Sequence, residues 1–425
     1  MAKPKLALIP AAQGTKLYSV LPSDGVGDFT FARGSVATRI NAQGLIENVA
    51  SGVSRLNYPL IDGVQKGCPH HILEPERTNL IQYSESFSNA YWTKSRASVT
   101  SNALISPDGA LNASKFTQTT STAWGGVVLT ITPSGASTLS IFAKKIDNDY
   151  IALIGHSSND TKVYFNLDNG TIGTVGSDVT NADIQDYGNG WFRCVLTASS
   201  INRFTVLHAI TNNGVTANLN TETSLWGAQV EVGSFTTSYI PTSGESGGVT
   251  RSAETANGAG NASTFNDSEG VLMFEGSFLS KISSPNQRIA ISDGTTSNRI
   301  LIQNVGSSSN RLQFYTIVNN ATSTDFYTDL SDITLFNKIV FKYKINNFSV
   351  WINGFEVLTD TSGITFPNGT LTELAFDGGD GGNDFYGKTK QVQYFDSILD
   401  SQQLEQLTSW QSFTDMANGQ LYTIE

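Results

Sequence analysis

The chain is poor in charge, cysteine and histidine, and it has no long apolar run. Its 425 residues carry 26 Lys+Arg against 37 Asp+Glu, 26 − 37 = −11, and charged residues make up only 15%, against about 25% in ordinary globular proteins. So few cations on an acidic chain cannot neutralise a row of phosphates, which argues against nucleic acid as a partner. The two cysteines, Cys68 and Cys194, lie far apart in different sequence contexts. Neither a disulfide framework nor a cysteine-based zinc site is expected, and both read as free, buried thiols. No apolar run approaches the roughly 20 residues of a membrane-spanning helix, so no membrane partner is expected. The N-terminus has two lysines, Lys3 and Lys5, but too few apolar residues before Pro10 for a signal-peptide core. A chain working outside a bacterium would have to leave it another way, and release by lysis within a virus particle fits.

What is present points to an all-β protein. Hydrophobic residues make up 39% and aromatics 10%, which excludes a disordered chain. With charge scarce, Ser, Thr, Asn, Gln and Gly must cover the surface. At roughly 150 residues per domain the length predicts two or three domains.

Residues 1–77 have glycine breaks at short intervals (Gly14, Gly25, Gly27, Gly34, Gly44, Gly52, Gly63 and Gly67) with short apolar runs between them. They read as an extended adaptor without a core of its own, ordered against a partner or a neighbouring subunit. Residues 78–242 read as short strands. In 137–145, Leu139, Ile141 and Ala143 alternate with Ser140, Phe142 and Lys144. Val163, Phe165 and Leu167 alternate before Asp168-Asn169-Gly170, a tight-turn signal. Such a series predicts a β-sandwich. Residues 243–264, rich in Gly, Ser, Ala, Asn and Thr, read as a linker. Residues 265–425 resume the strand pattern, most clearly in 338–358, where Asn346-Asn347 and Asn353-Gly354 mark hairpin turns. One helix is expected over 400–410, capped by Asp400 or Ser401, with Leu404, Leu407 and Trp410 on one stripe. The predicted fold class is therefore all-β: two β-sandwich (jelly-roll) domains in series after an extended N-terminal adaptor.

Catalytic signatures are sparse. Gly244-Glu245-Ser246-Gly247-Gly248 matches the G-x-S-x-G nucleophile elbow, but it lies in the glycine-rich linker, without the strand and helix that hold such a serine. His70-His71 are adjacent, so in a strand they would point to opposite faces, an awkward start for a shared metal. Gln229 and Glu231 share a strand face and read as a buried, hydrogen-bonded pair. The glycosidase arrangement of paired acids is not recognisable. The chain is expected not to be an enzyme, and no cofactor is required. The strongest polar cluster is Asp377, Asp380, Asn383 and Asp384 on a glycine-rich loop, hard oxygen ligands that could gather around Ca²⁺, although the spacing is not that of an EF-hand. Of the six tryptophans, Trp191, Trp226 and Trp351 lie in alternating strands and read as packing. Trp92 and Trp124 lie near strand ends and are the candidates for stacking on sugar rings.

Several motifs carry a resemblance. Phe31-Ala32-Arg33-Gly34-Ser35-Val36-Ala37-Thr38-Arg39, then Glu47-Asn48-Val49 and Arg55-Leu56-Asn57-Tyr58, resemble a segment of tailed-phage structural proteins. So do Glu74-Pro75-Glu76-Arg77-Thr78-Asn79-Leu80-Ile81 and the closing runs Trp226-Gly227-Ala228-Gln229-Val230-Glu231 and Thr237-Ser238-Tyr239-Ile240-Pro241-Thr242. Over residues 29–251 the chain is similar to the phage head spike fibre domain, a carbohydrate-binding-module-like jelly roll. The Val350-Trp351-Ile352-Asn353-Gly354 hairpin and the stretch 385–396 resemble the concanavalin A/laminin-G-like sandwich of phage fibres. The resemblance implies a virion component, made in the host cytoplasm, attached to capsid or tail proteins through residues 1–77. It further implies a homotrimer adhering weakly, in many copies, to host-surface or mucosal glycan. The alternatives are a purely structural capsid or collar decoration protein, and a polysaccharide depolymerase.

Overall fold

The computed structural model describes residues 2–121, 123–158, 160–215, 217–281 and 285–410, together with 412, 414 and 416. As the alternation predicts, the described residues form an all-β molecule of two sandwiches. The first sandwich pairs two six-stranded antiparallel sheets. One runs in space Ala97–Ile105, Leu111–Gln118, Glu222–Val232, Ser137–Lys145, Trp191–Ala198, Val179–Asp186. The other runs Thr93–Ser95, Gly126–Thr130, Arg203–Ala209, Tyr150–Ile154, Lys162–Asn166, Thr171–Val175. Leu139, Ile141 and Ala143 fill the core between them with Phe116, Phe165 and Leu196. Phe142, on the opposite face of its strand, is buried too, because Trp191, Trp226, Tyr239 and the arm residue Ile46 form a second apolar layer there. Gly227 makes that layer fit: at φ +62° it sits at a bulge, and a Cβ would lie 2.8 Å from the Phe142 ring.

In the second sandwich the larger sheet runs Phe355–Asp360, Phe348–Ile352, Asn337–Lys344, Glu269–Phe278, Gly387–Phe395, His70–Leu73, Leu56–Asn57. The smaller runs Ala321–Asp329, Arg311–Val318, Arg299–Asn304, Arg288–Ser292, Glu373–Ala375. Asn353-Gly354 forms the expected tight turn, with φ of +50° and +93°. The helix Ser401–Thr408 carries a capping box between Asp400 and Gln403, and Leu404 and Leu407 pack on the outer face of the larger sheet. Trp410 lies beyond the helix, its ring 4.6 Å from the Lys338 ammonium.

Three expectations need correction. Residues 1–77 do not wait for a partner. Leu6–Leu8 pairs with Gly387–Phe395, and Leu6, Leu8, Leu17, Phe29, Phe31 and Leu73 belong to the core of the second sandwich. Glycine breaks hide this because each strand is short and the partners that tie Leu6–Leu8, Phe29–Ala32 and His70–Leu73 into the body lie hundreds of residues away. The stretch 243–264 is no free linker: Val249–Arg251 pairs with Arg77–Asn79, Thr255–Asn257 pairs with Phe29–Ala32, and Ala256 and Ala259 are core residues. Cys194 is buried, but Cys68 is exposed.

The resemblance motifs meet in a buried ionic hub. Arg33 Nη1 lies 2.7 Å from Glu254 Oε1, and Arg55 pairs with Glu254 and, at 2.8 Å, with Glu74. Arg251 Nη1 is 2.9 Å from Glu74 Oε2, and none of these side chains is more than 2% exposed. Ser238 donates to Glu74 from both its backbone N–H (2.8 Å) and its hydroxyl (2.6 Å). Burial alone would raise the Glu74 carboxyl, but Arg251 and Arg55 outweigh it and hold it well below the usual carboxylate range. Burial likewise opposes the charge on Arg55, and Glu254 and Glu74 raise its pKa regardless. Asn79 is fully used: its amide donates to the carbonyls of Ala228 and Ile240 and its oxygen accepts from the N–H groups of Ile81 and Val230. These residues join arm, first sandwich and return strand into one body.

Candidate glycan-binding face

The smaller sheet of the second sandwich has one face in the core and an opposite face that is exposed at Tyr327 and Asp325 and covered at Ala290, Ser292 and Leu301. Period-two alternation sends Ile289, Ile291, Ile300, Ile302, Phe314 and Phe326 inward. The register then sets the outward residues in rows. Arg288, Gln303, Gln313 and Tyr327 lie opposite one another across four strands, and Ala290, Leu301, Tyr315 and Asp325 form the next row.

The first row is hydrogen-bonded end to end. Arg288 Nε donates to Gln303 Oε1 (2.6 Å), Gln303 donates to Gln313, and Gln313 Nε2 donates to Asp325 Oδ1 and to the Tyr327 hydroxyl, both at 2.6 Å. Gln303 and Gln313 are buried beneath the surface line, whereas Tyr327 is 47% exposed and Asp325 is exposed. Tyr315, half-buried, shares a hydrogen bond of 2.8 Å with Thr322. Partial burial and the neighbouring Asp325 raise the Tyr327 phenol, which keeps it neutral and able to donate. Planar amide, carboxylate and guanidinium groups held in fixed rotamers beside two phenol rings can do one thing well. They match the paired hydroxyls and the apolar ring face of a sugar at low entropic cost.

Sequence reasoning missed this face because it weighed only tryptophans as stacking residues. The signal was present in Arg311–Val318, where Gln313 and Tyr315 alternate with Leu312 and Phe314, and in the Phe326-Tyr327 step.

The predicted site residues fall elsewhere. Trp92 is not a ligand platform: it is 1% exposed, packs against Phe87, Tyr91 and Phe204, and donates its indole N–H to the Tyr83 carbonyl at 2.9 Å. An indole at the end of a sandwich plugs the gap between sheets, so position near a strand end does not imply exposure. Trp124 is 39% exposed, with the Arg96 guanidinium 5.0 Å from its ring centroid. The two tryptophans share no surface.

The loop bearing Asp377, Asp380, Asn383 and Asp384 lies at one end of the polar face, but it does not assemble a calcium site. Among the described residues no three or more His, Cys, Asp or Glu side chains are placed to hold a metal ion. Asp377 is buried and accepts from the Gly379 N–H (2.6 Å), and Asp384 accepts from the Tyr386 hydroxyl (3.3 Å), so each serves the loop's own fold. The Arg299 guanidinium also donates to the Gly378 carbonyl at 2.6 Å, and the Asp380 carboxylate acts on Arg288 and Arg299.

Other polar features resolve into structure. Ser246 is exposed in a turn. Gln229 and Glu231 bind the backbone N–H groups of Ile240 and Thr237, fixing the return strand. His70 and His71 are both buried, His70 against Phe336. A cleft of about 1110 Å³ lies between the arm and the two sandwiches. Of the charges lining it, Arg39 pairs with Glu47, Lys281 with Asp332 and Glu74 within the hub, while Asp183, Arg193 and Lys388 form no ion pair among the described residues.

No protein-family model matches the chain, and no curated protein sequence matches it. Solved structures give slight likenesses. The CBM40 module of the Ruminococcus gnavus IT-sialidase, bound to α2,3-sialyllactose, is 14% identical, with a TM-score of 0.28 over 36% of this chain and 88% of the module. Domain 4 of AbnA, a GH43 extracellular arabinanase from Geobacillus stearothermophilus in complex with arabinotriose, is 11% identical, with a TM-score of 0.30 over 37% of this chain and 73% of that domain. The leech intramolecular trans-sialidase is 15% identical at a TM-score of 0.30, over 35% of this chain and 24% of the enzyme. Likenesses of this size say nothing about what this chain binds.

Proposed function

We infer that this chain is a non-enzymatic structural protein of a tailed-phage virion, a head or tail fibre or spike that adheres to host-surface or mucosal glycans. The observation that carries the adhesive role is the open face of the smaller sheet, where Tyr315 and Tyr327 stand beside a braced row of Gln303, Gln313 and Asp325. A shallow face of this kind binds weakly, and many copies on one particle turn weak binding into firm attachment. The virion role is supported by the resemblance motifs, whose residues build the buried hub. Since the apolar side of the arm is used inside the chain, attachment to the particle falls to its exposed residues, among them Ile9 and Val20. The working form is a homotrimer.

The test is binding of full-length protein, and of the Tyr327→Ala/Gln313→Ala variant, to an array of bacterial and mucin glycans. Saturable binding by the parent that the variant loses, at unchanged unfolding temperature, is the expected result. Binding unaltered in the variant would remove this face from the reading. A folded parent that binds no glycan would leave a structural decoration protein. Sedimentation of a mass other than three chains would overturn the trimer.

A further inference from the structure

We propose that the Arg288–Arg299 end of this face is an oxyanion site, so that the glycans it takes are acidic, carrying a carboxylate or a sulfate. The proposal rests on the glycan-binding reading above and names the ligand class for it.

Arg288 and Arg299 lie on adjacent antiparallel strands, and their guanidinium groups converge on one residue of the glycine loop. Arg299 Nη1 donates to the Gly378 carbonyl at 2.6 Å, and a Cβ built on Gly378 would lie 3.2 Å from Arg288 Nη1. Glycine at 378 therefore leaves room for the two cations to approach the same spot. Neither arginine has a carboxylate within ion-pair distance among the described residues; the carboxylate that acts on both is Asp380, whose Oδ1 lies 3.1 Å from the same Cβ position on Gly378.

Arg299 is the stronger sign. It is 7% exposed, yet its Nε–H is buried without a hydrogen-bond partner. A guanidinium has five donors in a planar fork, and burial outweighs the attraction of Asp380, so that the Arg299 charge is only partly compensated. An arriving oxyanion completes the compensation, because two arginine forks match the planar, two-oxygen edge of a carboxylate or the oxygens of a sulfate. Tyr315 stands in the adjoining row, so a pyranose ring resting on it would turn an acidic substituent toward the pair. On a chain of net charge −11, two arginines sharing the single nearby carboxylate of Asp380 keep a net positive charge at one point while the rest of the surface repels polyanions.

The experiment measures binding of tetragalacturonate, of a neutral galactose tetrasaccharide of the same linkage, and of its 6-sulfated form to the full-length protein. It is repeated with Arg288→Gln and Arg299→Gln, and at low and high salt. An acidic form is expected to bind at least tenfold tighter than the neutral one, and salt to weaken only the acidic form. Arg288→Gln should lower affinity for the acidic form at least tenfold more than for the neutral form, erasing the difference between them. Preference for uronate or for sulfate identifies which oxyanion is the natural source, and either supports the site. Equal binding of acidic and neutral forms, or an equal loss of both in Arg288→Gln, overturns the oxyanion site and leaves the glycan face standing. Failure to bind any glycan at unchanged unfolding temperature overturns both. If Arg299→Gln does not fold, Arg288→Gln, which alters a half-buried residue at the edge of the face, and the salt series still decide.

Discussion

Glu254, fully buried, holds two arginines, Arg33 and Arg55. Glu254→Gln leaves the hub with three guanidinium groups and one carboxylate. The expected loss is about 3–5 kcal/mol, read from the urea unfolding midpoint; a loss under about 1 kcal/mol would mean that the network contributes little beyond packing. Gly227→Ala forces a side chain into a left-handed backbone against Phe142, with an expected cost of about 1–3 kcal/mol. Tyr327→Ala, on the open face, should change stability by no more than about 0.5 kcal/mol while lowering glycan affinity. The contrast separates residues that hold the molecule from residues that would meet a ligand. Arg33, Arg55 and Glu74 were visible in the sequence only as parts of a resemblance, and Arg251 and Glu254 were not singled out. Nothing in their local spacing states that residues 221 positions apart, such as Arg33 and Glu254, share an ion pair, because the contact is made by topology.

Among elements, hairpins were the most legible. Asn353-Gly354 makes a tight turn with both residues at positive φ, and Asp168-Asn169-Gly170 lies in a four-residue loop between Asn166 and Thr171 with Gly170 at positive φ, so both chain reversals fall where local φ preference puts them. The helix was readable from its cap and its leucines. The arm was not, because a two- or three-residue strand has too little period to declare which sheet it joins. Its placement makes a strong prediction. Removing residues 1–77 strips Leu6–Leu8 and His70–Leu73 from beside Gly387–Phe395 and takes six apolar side chains from the second core. The truncated chain should collect in the insoluble fraction; a soluble form unfolding cooperatively by circular dichroism would contradict the shared core. Leu8→Ala is the milder version, at about 2–5 kcal/mol.

For the molecule as a whole, buried histidines set the acid limit. Burial pushes His71 down to about 4 and His208 to about 3, and burial together with Lys388 and Lys390 takes His70 well below its usual value. The unfolded chain takes up these protons near pH 6.5 while the folded chain does not, so stability is full above that value and falls as the medium acidifies toward pH 4. The slope can reach on the order of 4 kcal/mol per pH unit for three histidines acting together. Urea midpoints measured from pH 7.5 to 4.5 check this, and replacing His208 by Gln should flatten the curve by about a third; a flat profile over that range would show that the rings are already protonated in the fold.

Leu6 is paired with Tyr394, a separation of 394 − 6 = 388 residues, and that distance is also an interval of time. A ribosome adding about 5–20 residues per second finishes the partner strand roughly 20–80 seconds after the arm emerges. Throughout that interval Leu6 and Leu8 lack the strand they pair with, while the first sandwich, whose strands all lie between Thr93 and Val232, can already close. The nascent chain is therefore expected to be held by chaperones through its first seventy-odd residues and released only after Phe395 has left the ribosome. Crosslinking of stalled nascent chains of increasing length would show that release as one late step.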